Sequence, residues 1–137
     1  MTSISDKLLS KVLNESILNN FIEDNTLYWQ AETVDLIGTK TGQINIYELA
    51  HRVKEWAVKQ HKENKENNNG NHFYLNHFGS TLVGFFENYQ AEIGYRGTDR
   101  DGDWADLQII FTERTEPEAI FKAGEWILQN AKSLFNW

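Results

Sequence analysis

The sequence predicts an α+β domain with helices packed on one face of an antiparallel sheet of three to four strands, in the order α-α-β-β-β-(β)-α. Three observations predict it. Residues 104–135 carry a strand with apolar residues at Ala105, Leu107, Ile109 and Phe111 that turns directly into a capped helix. Residues 72–95 break into short alternating runs with tight punctuation, the signature of an antiparallel meander. Two amphipathic stripes, at 4–22 and 45–63, precede that sheet and supply the helices that cover it.

The elements follow in order. Ile4, Leu8, Leu9, Val12, Leu13, Ile17, Phe21 and Ile22 recur at mostly three- and four-residue spacing, which predicts one helix over 4–22 with Ser3 and Asp6 at its start. Its wide stripe fits either a core helix or an arm over residues 1–24 that dimerises, with a flexible joint at Glu23-Asp24-Asn25. Residues 27–37 are read as extended or irregular, and Gly38-Thr39-Lys40-Thr41-Gly42 as a plain turn lacking the spacing of a phosphate loop. Asn45 caps the next helix, with Glu48 three positions on as in a capping box, and Ile46, Leu49, Ala50, Val53, Trp56 and Ala57 form its buried stripe.

The polar run 64–71 is a loop by composition. Strands are expected at His72–Phe78, Thr81–Glu87, Ala91–Tyr95 and Trp104–Thr112, with a turn at Gly79-Ser80 and a break at Asn88-Tyr89. Thr115-Glu116-Pro117-Glu118 opens the last helix: Thr115 caps, Pro117 sits where no amide donor is needed, and the acids suit the positive helix end. Gly124 within it permits a close approach to the sheet. The whole is read as one domain over 1–137, with residues 44–137 as an α-sheet-α core.

Composition narrows the function classes. The formal charge is -7, with 20 acidic residues against 13 basic, which disfavours nucleic acid and favours a basic partner surface. No cysteine is present, so disulfides, thiolate zinc sites and a cysteine nucleophile are excluded. No stretch reaches the roughly 20 apolar residues that span a bilayer, and a cytoplasmic protein off the membrane is expected. Five Trp and eight Phe exceed what a small core readily buries, which implies an aromatic interface.

The candidate partner-binding residues are Asp99, Asp101, Asp103, Trp104 and Asp106, with Glu116 and Glu118. Asp99, Asp101 and Asp103 alternate like the start of a calcium loop, but Trp104 stands where the sharp turn needs Gly and Ile110 where a bidentate Glu is required. Arg52, Lys54, Lys59, Lys62 and Lys65 form an alternative basic face on the second helix, interleaved with Glu55, Glu63 and Glu66. His51, His61, His72 and His77 do not share metal-ligand spacing, and neither a metal nor a cofactor is expected. No hydrolase elbow, zincin helix or dinucleotide fingerprint occurs, so a non-enzymatic role is expected.

Thr115-Glu116-Pro117-Glu118-Ala119-Ile120-Phe121-Lys122-Ala123 with Trp126-Ile127-Leu128 resembles the C-terminal helix of small proteins from bacteriophages and prophages. Tyr47-Glu48-Leu49-Ala50-His51 with Lys54-Glu55-Trp56-Ala57 resembles their preceding helix. The likeness spans about 30 residues of helix-packing chemistry and brings no catalytic residue with it. It implies a phage or mobile-element origin, of the kind whose small acidic domains bind and block a host protein as inhibitors or anti-defence factors. The acidity points to a basic surface on that host protein, and the broad stripe of the first helix to self-association into a homo-oligomer such as a dimer. The alternatives are a nucleic-acid module with the α-β-β-β-α order of double-stranded-RNA-binding domains, and an enzyme or small-ligand binder whose pocket forms between chains.

Overall fold

The computed structural model describes residues 3–33, 38–63, 72–81, 87–98, 101 and 103–131. The chain runs through α1 (Asp6–Leu13), β1 (Ser16–Glu23), β2 (Thr26–Glu32), β3 (Thr39–Asn45) and α2 (Ile46–Glu63). It continues through β4 (His72–Thr81), β5 (Glu87–Thr98), β6 (Trp104–Glu113) and α3 (Glu116–Trp126), which ends in a wider π-type turn at Ile127–Ala131. Two three-stranded antiparallel sheets result, in the orders β1-β2-β3 and β4-β5-β6. The α+β class with antiparallel sheets and packed helices stands, but a first sheet is inserted between the first two helices.

The helix expected over 4–22 is therefore corrected. Ser5 caps α1 by accepting from Leu8 N at 3.1 Å, and Asn14 stops the helix in the left-handed region at φ 55. An amide side chain tolerates that conformation better than a branched one. The flexible joint at Glu23-Asp24-Asn25 is a two-residue hairpin turn instead. Asp24 and Asn25 hold φ 51 and 58, the paired positive values a tight hairpin of the primed type requires. Gly38–Gly42, read as a turn, is largely strand: β3 starts at Thr39 and pairs with β2 along its length. The ambiguous 27–37 segment is extended in β2 up to Glu32, and residues 34–37 lie outside the described residues.

In the second sheet the expected turn at Gly79-Ser80 lies inside β4, and the expected break at Asn88-Tyr89 lies inside β5. Two long strands stand where three short ones were expected, and residues 82–86 of the expected Thr81–Glu87 strand lie outside the described residues, as does the 64–71 loop. α2 and α3 pack against each other and on the same face of this sheet, while α1 packs on β1 and α2. One continuous core unites both sheets: Leu8 and Leu9 of α1, Leu27 and Ile44 of the first sheet, Leu49 and Val53 of α2, Ile93 of β5, and Ile120 and Phe121 of α3. Burying each such side chain stabilises by about 1.5–3 kcal/mol. α1 is thus docked in the core as a short helix.

Gly124 allows a close approach, but to helices rather than to the sheet. A Cβ there would stand 2.7 Å from Val53 Cγ1 and 3.1 Å from Leu8 Cδ2, so α1, α2 and α3 meet at this point. Among the described residues no helix is long and apolar enough to cross a membrane.

Candidate partner-binding surface

Among the described residues, helices pack on one face of each sheet, and the other face carries exposed side chains. On the second sheet, Ala91 and Ile93 of β5 and Ile109 and Phe111 of β6 turn toward α2 and α3. The period-2 alternation of a strand then places Trp104, Asp106, Gln108, Ile110 and Thr112 on the opposite face. Trp104 is 72% exposed and Ile110 48% exposed. Asp106 and Gln108 are exposed too, and Gln108 Nε2 donates to the Glu92 carboxylate diagonally across the β5–β6 pair.

Asp101 and Asp103, on the approach to β6, are exposed beside Trp104. Four of the seven expected partner residues therefore gather at one end of β6: Asp101, Asp103, Trp104 and Asp106. Asp99 lies outside the described residues. Glu116 and Glu118 are not brought there. They are half-buried at the start of α3, beyond the far end of β6, and nine strand steps of about 3.3 Å separate the two ends by about 30 Å. At that far end Glu118 N donates to Thr115 Oγ1 at 3.3 Å, closing the cap expected from sequence. Lys122 of α3 pairs with Glu113 of β6, and the hydrogen bond to that carboxylate holds the Lys122 ammonium above the usual lysine range.

The alternative basic face is partly neutralised along α2. Arg52 Nη2 lies 3.3 Å from Glu48 Oε1, and His51 Nε2 lies 2.7 Å from Glu55 Oε1. Asn45, as expected, caps α2 by accepting from Tyr47 N at 2.8 Å, but Glu48 reaches forward to Arg52. Lys54 is half-buried and Lys59 is exposed. Lys62 sits in the last turn of α2, and Lys65 lies outside the described residues. No group of three metal-ligating side chains converges among the described residues.

The first sheet carries a surface that sequence reasoning missed. Its inner face holds Asn20, Trp29, Gly42 and Ile44, tied to α1 where Asn20 Nδ2 donates to Asp6 Oδ1 at 2.6 Å. The Trp29 ring lies over Gly42, where a Cβ would come within 2.2 Å of it. Trp29 Nε1 donates to Glu15 Oε2 at 2.8 Å, and Lys40 also pairs with Glu15. The hydrogen bond from Lys40 is the main reason the Glu15 carboxyl sits below the usual carboxylate range, against partial burial that pushes it up.

On the outer face Phe21 and Tyr28 stack with centroids 5.0 Å apart, and Phe21 is 56% exposed. Beside them Asn19 Nδ2 donates to Gln30 Oε1 at 2.9 Å, and Gln30 Nε2 donates to Thr39 Oγ1 at 3.1 Å. The signals that reveal this sheet are Asn14 as a helix stop and Asp24-Asn25 as a hairpin turn. Comparison of the chain with protein-family models, with curated proteins and with solved structures gave no match.

Proposed function

We propose that this chain is a non-enzymatic protein-binding domain that docks a basic surface of a partner through the Trp104 end of β6. The observation that carries the reading is Trp104 itself, 72% exposed on an open sheet face among the exposed carboxylates of Asp101, Asp103 and Asp106. A large aromatic ringed by charge is the usual make-up of an interface hot spot: the ring supplies desolvated area and the charges steer and orient the partner. The net charge of -7 favours a basic partner from a distance. With the helix resemblance to phage and prophage proteins, these features support a phage-type inhibitor or anti-defence protein that covers a host protein's basic surface.

The test is capture of partners from bacterial lysate by the tagged chain, with and without nuclease, followed by the same capture with Trp104→Ala and with Asp101, Asp103 and Asp106 changed to Lys. The expected result is one protein retained after nuclease and lost with both variants, since truncating a hot-spot aromatic costs about 2 kcal/mol or more. A partner held equally well by both variants, or recovery of nucleic acid alone, overturns the proposal.

A further inference from the structure

We propose that β6 is a dimerisation edge, pairing antiparallel with β6 of a second copy to join two three-stranded sheets into one of six strands. Long unshielded strand edges invite pairing, and folded proteins blunt them with bulges, lysines, prolines or short length. β1 is bulged between Ile17 and Asn19, and β3 carries Lys40. β6 has none of these. It is an outer strand of its sheet, ten residues long and in unbroken register with β5, with Asp106 and Glu113 as its charges. β4, the other outer strand, is equally long and regular, and what distinguishes β6 is its complementarity to itself.

The occupant is a second copy because the strand complements itself. A two-fold axis perpendicular to the sheet keeps outer-face residues opposite outer-face residues. With Ile109 facing Ile109 of the second copy, Gln108 faces Ile110, Asp106 faces Thr112 and Trp104 faces Arg114, each twice. The exposed guanidinium of Arg114 then lies beside the exposed Trp104 ring and diagonal to the Asp106 carboxylate. No acidic residue opposes another in this register. Sliding it by two residues one way sets Asp103 against Glu113, and sliding it the other way sets Asp106 against Arg114 but Trp104 against Glu116; only the alignment centred on Ile109 makes the Trp104–Arg114 pair. Edge pairing leaves the outer faces open and places both Trp104 ends on the same side of the joined sheet.

The test is sedimentation of the intact chain, with three variants. The native protein is expected to dimerise at micromolar concentration, and Arg114→Glu to weaken the dimer about tenfold, because the contact occurs twice. Adding Asp106→Arg to Arg114→Glu is expected to recover part of that loss. Since the chain has no cysteine, Ile109→Cys gives a single thiol whose facing Cα atoms would be about 4.5–5.5 Å apart, within disulfide reach. Mild oxidation should link it faster than Thr41→Cys on the first sheet. If Ile109→Cys disturbs folding, Gln108→Cys with Ile110→Cys repeats the test on the exposed face. A chain that stays monomeric overturns the proposal. So does a dimer that neither responds to Arg114→Glu nor cross-links through β6.

Discussion

The side chain that Gly124 lacks sets the spacing of three helices. Alanine is worth about 1 kcal/mol more than glycine inside a helix, so Gly124→Ala would stabilise a helix standing alone. Here the new methyl would meet Val53 Cγ1 at 2.7 Å, and Val53 is a buried β-branched residue with little freedom to turn away. Overpacking of this kind costs about 1–3 kcal/mol, which outweighs the helix gain. Gly124→Ala is expected to lower the denaturation midpoint, and combining it with Val53→Ala to cost less than the sum of the two changes. Chemical denaturation of the four chains checks this; an additive cycle would show that the two residues do not press on each other. Sequence marks Gly124 as an approach point because glycine is disfavoured there, yet it does not say to what. The neighbours come from α1 and α2, more than 60 positions away, and chain-local patterns do not encode such pairings.

At the scale of the elements, the caps of α1 and α3 differ in how much rests on them. Thr115 makes one capping bond, to Glu118 N. Ser5 does more: its hydroxyl accepts from Leu8 N while donating to Glu125 Oε1 at 2.7 Å, and its own amide donates to the same carboxylate at 3.1 Å. It joins the start of α1 to α3. Losing a serine or threonine cap costs about 1 kcal/mol. Ser5→Ala also removes the hydroxyl–carboxylate bond, so it is expected to destabilise more than Thr115→Ala, measured by thermal unfolding of both. Equal losses would show that the bridge to Glu125 adds nothing.

The same elements show why some of the fold is legible. α3 announces itself because cap, proline and acids fall in consecutive positions, all local signals. β1 hides because its bulge breaks the alternation: Ile17, Asn20 and Ile22 all face inward, a spacing that imitates a helix. Of the candidate site, the Asp101–Asp106 end is legible because its members adjoin in sequence. Its separation from Glu116 and Glu118 follows only once β6 is fully extended.

At the scale of the whole molecule, the question is whether two sheets make one cooperative unit or two. The order α1-β1-β2-β3 followed by α2-β4-β5-β6 and α3 suggests two similar halves, each a helix followed by a three-stranded meander. The core argues for one unit. Leu8 of α1 is fully buried beside Gly124 of α3, and Leu27 of the first sheet belongs to the same cluster as Ile93 of the second. Among the described residues the helices pack on both sheets, so damage to α1 should reach both. Leu8→Ala leaves a cavity at the meeting point of the three helices and is expected to cost about 2–5 kcal/mol. Because the cluster is continuous, that loss should appear as a single earlier transition, with far-ultraviolet and tryptophan signals melting together. Trp29 reports on the first sheet and Trp126 on α3 over the second, so single-tryptophan versions of the chain can follow each half. If Leu8→Ala melts the Trp29 half while the Trp126 half stays folded, the halves are separate and α1 belongs to the first alone. If both melt at one midpoint, the helical layer couples the sheet that presents Phe21 and Tyr28 to the sheet that presents Trp104.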